Sequence, residues 1–194
     1  MKAICIIGSP RTDGSTAHIV DKVIEGMKET GIEVIRHCLG ERNINYCKGC
    51  KKCYDIGGKC VITDDVQLIM KDLIDSDIVL IASPSYWGDI TGQLKVFFDR
   101  NTPYCDTNEN RQIIPSGKKG ISIAVRAGKT DRENIHILES IEHYFGHLGI
   151  EPIERFAIRE TDTLNDLLEK HQNELNEAYE MGKRVRAKTE TNNI

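Results

Sequence analysis

Short unbroken apolar runs alternate along this chain with stretches whose apolar residues recur every three or four positions. That alternation predicts strands buried on both faces, separated by amphipathic helices. The first run, residues 2–8, ends at a glycine, and the helix after it runs to about residue 30 with Ile19, Val20, Val23, Ile24 and Met27 on its apolar side. Residues 32–39 alternate more and read as a second strand, with His37 exposed and Cys38 structural. Thr63, Asp64 and Asp65 open the next helix, which turns Val66, Ile69, Met70, Leu73 and Ile74 to one side. Residues 77–82 form the clearest buried strand. A helix over about 91–100, a strand over 120–125, a helix over about 132–148, a strand over 152–159 and a closing helix over about 164–185 complete the series.

Five strands alternating with five helices predict an α/β fold, a doubly wound parallel sheet of flavodoxin type with strand order 2-1-3-4-5 and helices on both faces. The expected organisation is one domain over residues 1–186, with a cysteine-rich loop at 43–62 and a fraying tail at 187–194. The 194 residues suffice for one sizeable core and leave little for a second domain. With 29% charged residues and a formal charge of -4, the chain lacks the basic face that nucleic acid requires. Its longest apolar runs fall far short of a membrane span. The opening residues are too short for an apolar leader and carry no small-residue cleavage site, so the expectation is a cytoplasmic protein with reduced thiols.

Three loops follow predicted strands at one edge of the sheet, where ligands of such folds bind. Gly8-Ser9-Pro10-Arg11-Thr12-Asp13-Gly14-Ser15-Thr16 joins strand to helix as an anion cradle. Backbone N–H groups and the positive helix end meet there, Ser9, Ser15 and Thr16 offer hydroxyls, and Arg11 offers a charged contact. The loop has neither G-x-x-x-x-G-K-[ST] nor G-x-G-x-x-G, which leaves a monophosphate as the best-fitting anion. On the alternative reading Ser15 and Thr16 merely cap the helix and Arg11 is solvated. The second loop, residues 83–89, pairs Tyr86 with the sole tryptophan, Trp87, and can flank a planar heterocycle or simply plug the sheet. Gly88 lets backbone approach the rim of such a ring. In the third loop, residues 126–129, Arg126 either stabilises negative charge on a bound ring or pairs with an acid.

Four of the seven cysteines, Cys47, Cys50, Cys53 and Cys60, lie in the pattern C-x2-C-x2-C-x6-C, in a loop too poor in apolar residues to hold itself together. Two-residue spacers let a curled backbone aim three thiolates at one cube, so a [4Fe-4S] cluster is the favoured occupant. Structural zinc usually takes two separated C-x2-C knuckles, and it and a metal-free loop are the alternatives. Lys48, Lys51, Lys52 and Lys59 offset thiolate charge. Cys5 reads as inert core. Residues 101–117, which contain Cys105, read as a long polar loop, a lid or partner contact. His143 and His147 are four apart on a helix but lack the glutamate of H-E-x-x-H, so they are not read as a metal site.

Taken together, Gly8-Ser9-Pro10-Arg11 with Gly14-Ser15-Thr16, the four cysteines followed by Asp64-Asp65, and Pro84-Ser85-Tyr86-Trp87-Gly88 with Gly92-Gln93-Leu94-Lys95 and Phe98-Asp99-Arg100 resemble the iron-sulfur flavoproteins of the wider NAD(P)H-dependent FMN reductase family. The resemblance covers about the first hundred residues closely. It implies an FMN-dependent oxidoreductase with the phosphate at Ser9, Arg11, Gly14, Ser15 and Thr16 and the isoalloxazine against Pro84, Ser85, Tyr86, Trp87 and Gly88. Arg126 and Gly128 are the third-loop candidates, in a segment where many relatives carry a glycine-rich turn. It further implies a [4Fe-4S] cluster on Cys47, Cys50, Cys53 and Cys60, NAD(P)H or ferredoxin as electron donor, and a homodimer or homotetramer that brings each cluster near an FMN. No side chain is expected to act as a catalytic acid or base. A cluster-free FMN or quinone reductase, a ferredoxin-linked electron carrier and a zinc-loop partner-binding module are the competing readings.

Overall fold

The computed structural model of the chain describes residues 1–191, built round five parallel strands: β1 (Lys2–Ile7), β2 (Glu33–Cys38), β3 (Ile78–Pro84), β4 (Lys119–Val125) and β5 (Glu151–Ile158). Their order is β2-β1-β3-β4-β5, as the periodicity predicts. Each residue of β3 and β4 is buried, because helices cover both faces of a parallel sheet. Alternate side chains of β1 feed two separate cores. Ala3, Cys5 and Ile7 face α1 (Ser15–Glu29), while Ile4 and Ile6 face the opposite layer.

That opposite layer consists of α3 (Asp65–Ile74), α4 (Gly92–Asp99) and α5 (Arg132–Leu148), preceded in the chain by α2 (Lys52–Asp55), one short turn within the cysteine loop that the sequence pattern does not reveal. Asp64 caps α3 as the sequence predicts. Its carboxylate accepts from Val66 N at 3.2 Å, and Gln67 accepts from Asp64 N at 2.9 Å. On the α1 side, Gly26 and Gly182 let two helices touch backbone to backbone, since a Cβ at either would collide with the carbonyl of Tyr179 or Val23.

Three expectations need correction. His37 is buried, not exposed, because α3 covers the end of β2 and the Asp72 carboxylate binds its Nε2 at 2.8 Å. The closing helix is two helices, α6 (Leu164–Lys170) and α7 (Gln172–Thr191), separated by His171, whose φ of -125° and ψ of 37° leave the helical region. The expected frayed tail begins inside α7, where Val185 and Thr189, one turn apart, are both buried. Residues 192–194 lie outside the described residues.

Candidate functional site

Strand order reverses between β1 and β3, and the loops leaving the carboxyl ends of β1, β3 and β4 meet there. Gly8 turns the chain out of the sheet. Its N–H donates to Ala82 O at 2.8 Å, and an added Cβ would lie 2.9 Å from Leu94 Cβ, so only glycine fits between β3 and α4. The Thr91 hydroxyl donates to Gly8 O while accepting from Leu94 N, which fastens the start of α4 to the phosphate-type loop. Sequence reasoning missed Thr91. A buried threonine at a helix start has no chemical signature until the strand beside it is known.

Ser9, Ser15 and Thr16 are all buried. Ser9 Oγ accepts from Arg11 N at 3.1 Å, which curls the loop round the helix start. Ser15 Oγ is buried with no hydrogen-bond partner among the described residues. Gly14, at the N-cap, supplies no side-chain acceptor, and no acidic residue stands in the first turn of α1. A buried hydroxyl and uncapped first-turn N–H groups at the positive end of a helix dipole are a donor set for an anion. Arg11 lies at the rim instead, where its guanidinium reaches Asp162 O at 3.4 and 3.5 Å.

In the second loop Tyr86 and Asp89 exchange backbone bonds of 3.0 and 3.2 Å across Trp87 and Gly88. Both central residues have positive φ, 55° and 79°, the geometry of a type I′ turn. Gly88 tolerates this freely, but a bulky residue such as Trp87 is costly there, and its side chain stands fully exposed at 105%. Glu133, at the start of α5, joins this loop to the third. One of its oxygens accepts from Ser85 Oγ at 2.7 Å, the other from Arg126 Nη2 at 2.8 Å. Arg126 therefore takes the acid-pairing role of its two candidate roles, and its guanidinium lies over Gly128, where a Cβ would come within 2.6 Å of Nη2. Glu133 also escaped the sequence reading, since one glutamate in the first turn of a helix is ordinary.

The four loop cysteines line one cavity of about 190 Å³ together with Arg100. Gly49, Lys51, Gly57 and Gly58 all adopt positive φ, which coils the backbone round it. Burial raises the Cys53 thiol pKa, and the neighbouring charges of Cys60, Cys47 and Cys50 raise it further.

Arg100 holds both ends of this loop. Its side chain is fully buried against an equally buried Asp64, Nη1 donates to Asn45 O at 2.8 Å ahead of Cys47, and Nη2 donates to Ile62 O at 3.2 Å beyond Cys60. Burial would raise the Asp64 carboxyl, but hydrogen bonds from Arg100, Asn45 N and Val66 N outweigh it and hold the group below its ordinary value. The long polar loop buttresses the rest. Asn108 Nδ2 donates to Cys53 O at 3.3 Å, Gln112 Nε2 to Gly58 O at 2.6 Å, and Asn110 Nδ2 to Tyr54 O. A second cavity, of about 700 Å³, runs from Cys47 between α4 and α5 to Cys105, His143 and His147. No single stretch of sequence marks it, because its walls come from α4, α5 and three separate loop segments.

A hydroxyl-lined anion cradle, an aromatic turn and a strand-order reversal at one sheet edge define a flavodoxin-like ligand-binding protein. The family model for NADPH-dependent FMN reductase matches residues 1–161, and the chain belongs to that family. It is similar to an iron-sulfur flavoprotein of Archaeoglobus fulgidus, 36% identical over 135 residues that make up 70% of this chain and 59% of the relative. An iron-sulfur flavoprotein of Methanocaldococcus jannaschii is 34% identical over 145 residues, 75% of this chain and 72% of that one. In fold, the chain matches the NAD(P)H:quinone oxidoreductase from Methanothermobacter marburgensis with a TM-score of 0.74 over 95% of this chain and 96% of that one, at 16% identity.

Proposed function

We propose that this chain is an FMN-dependent oxidoreductase of the iron-sulfur flavoprotein type. The flavin phosphate sits on Ser9, Ser15, Thr16 and the first turn of α1, with Arg11 closing over it, and the ring lies against Pro84, Ser85, Tyr86, Trp87 and Gly88. The observation that carries this reading is the buried, unpartnered Ser15 hydroxyl at an uncapped helix start beside the strand-order reversal. Cys47, Cys50, Cys53 and Cys60 hold a [4Fe-4S] cluster. Three thiols at two-residue spacing and a fourth six residues further on, all lining one cavity, supply the donor set that supports this reading over a single zinc. When bound, FMN supplies two-electron exchange with a donor and the cluster supplies single-electron transfer onward.

The chain's own residues position and tune these groups. Ser15 and the α1 N–H groups bind the phosphate. Glu133 fixes Ser85 and Arg126 relative to one another, and Gly88 lets the turn approach the ring. Arg100 places a permanent positive charge beside the thiolates, with Lys48 and Lys51 lining the same cavity. Cys47 lines both cavities, so it would be the thiolate shared between a bound cluster and the larger cavity. NAD(P)H or ferredoxin is the donor. The fully exposed Trp87 at the rim supports closure of the crevice by a second copy in a homodimer or homotetramer. No helix of the described residues is long and apolar enough to cross a membrane.

A second reading keeps the flavin and omits the cluster. It is favoured by the polar scaffold of Arg100, Asn108 and Gln112, which holds the cysteine loop without metal. Isolation without oxygen, followed by absorbance, iron and sulfide analysis, separates the two. About four iron and four sulfide per chain support the cluster. Bound FMN with less than one iron and no acid-labile sulfide supports the cluster-free reductase.

A further inference from the structure

Sequence spacing alone gives His143 and His147 no third ligand, but the fold supplies one from a loop forty residues away. His147 Nδ1 lies 2.7 Å from Asp106 Oδ1, and Cys105 Sγ lies 3.5 Å from that same oxygen. The sulfur, carboxylate oxygen and ring nitrogen are all within 4.8 Å of one another. We propose that Cys105, Asp106 and His147 form a binding site for one borderline divalent cation, with Zn²⁺ the typical member, separate from the four-cysteine loop.

Tetrahedral zinc, with bonds of about 2.0–2.3 Å, sets neighbouring donor atoms about 3.3–3.8 Å apart. The present spacings bracket that range, so small side-chain rotations seat the ion. The backbone is fixed before binding, because Asp106 N donates to His147 O at 3.1 Å and clasps the loop to the end of α5. The second sphere is also in place. His147 Nε2 lies 3.1 Å from His143 Nε2, so when an ion takes Nδ1 the ring proton can sit on Nε2 and be held by His143, the arrangement of a metal-ligating histidine and its outer partner. Without an ion, the 2.7 Å spacing is a hydrogen bond from His147 Nδ1–H to the Asp106 carboxylate, and a bound cation would take the place of that proton. Thr107 Oγ1, 3.2 Å from Cys105 Sγ, can donate to the thiolate. Thiolate with imidazole selects zinc-like ions over Mg²⁺ and Ca²⁺. Cys105 and His147 both line the cavity of about 700 Å³, which leaves a fourth coordination position open towards it.

The test uses the protein as isolated without oxygen, with its bound groups in place. Zn²⁺ is added stepwise, free thiols are pulsed with iodoacetamide, and labelling is mapped by peptide mass spectrometry, so that Cys105 is read apart from Cys47, Cys50, Cys53 and Cys60. The expected result is protection of Cys105 by Zn²⁺, reversal by EDTA, and no protection by Mg²⁺. His147→Gln and Asp106→Asn should lose the protection, and His143→Gln should weaken zinc affinity by about tenfold. In calorimetry, Cys105→Ser should lose one zinc equivalent relative to the unmodified chain. Equal labelling of Cys105 with and without Zn²⁺, or full protection retained in His147→Gln, overturns the proposal.

Discussion

Residues 8–16 and residues 47–60 are the two loops proposed to hold charged groups, and they are built from different materials. The first hangs directly on the sheet. Gly8 is hydrogen-bonded to β3, Thr91 pins it to α4, and buried Ala17, Ile19 and Val20 anchor the helix behind it. The second lies on the surface and is held by polar groups. Arg100 and Asp64 tie its ends, and Asn108, Asn110 and Gln112 brace its middle. The anion cradle therefore shares the stability of the whole core, while the cysteine loop depends on one buried ion pair and a few side-chain hydrogen bonds. Damage to the second should leave the first standing.

The largest expected effect is at Arg100. Arg100→Met leaves Asp64 buried without its partner and should lower the free energy of unfolding by about 3–5 kcal/mol, read by urea denaturation. Adding Asp64→Leu should recover much of that loss, because the stranded charge is gone; no recovery would mean that the pair is not the tie described. The pair also sets an acid limb. The folded-state pKa of Asp64 lies below its ordinary 3.8, so its stabilisation is complete above that value and is lost as the pH falls through the lower folded value. In Arg100→Met the Asp64 contribution to this limb should disappear, which stability curves below pH about 4 will show.

Next in size is Ser15. Ser15→Ala should weaken FMN binding by about 1.5–3 kcal/mol, read by flavin fluorescence, and Ser15→Glu should abolish it by placing a carboxylate in the anion cradle. Neither change should alter iron content. Gly58→Ala tests the opposite side. Gly58 has φ +68°, and an added Cβ would meet Gln112 N at 2.6 Å and Arg111 C at 2.9 Å, so the variant should lose about 1–3 kcal/mol and shed iron while keeping its FMN affinity. The smallest effect falls on Trp87. Trp87→Asn suits a type I′ turn better and should stabilise the fold by about 1 kcal/mol while loosening the grip on the flavin ring.

The same division explains what the sequence revealed. Strand order was legible because unbroken apolar runs such as residues 78–82 are local signals, and the strand-loop-helix hydroxyls of Ser9 and Ser15 mark the proposed cradle just as locally. The supports were not. Arg100 falls at the end of the helix predicted over about 91–100, and only tertiary structure shows it fully buried beside the thiols. Residues 101–117 show no periodicity, yet their amides brace the cysteine loop across more than fifty positions of sequence. His37 reads as exposed because alternation in an edge strand cannot disclose that Asp72 waits on a covering helix. The break at His171 falls within an unbroken amphipathic pattern and appears only where α7 turns to pack on α1.

The central claim is that the start of α1 grips a phosphate belonging to a flavin. Calorimetric titration of flavin-stripped protein with FMN and with riboflavin, which differ only in that phosphate, tests it most directly. One FMN per chain, with riboflavin bound weaker by the charged contacts of Ser15 and the helix start, about 10-fold or more, is the result expected here. Equal affinity for the two, or binding of neither, would contradict it.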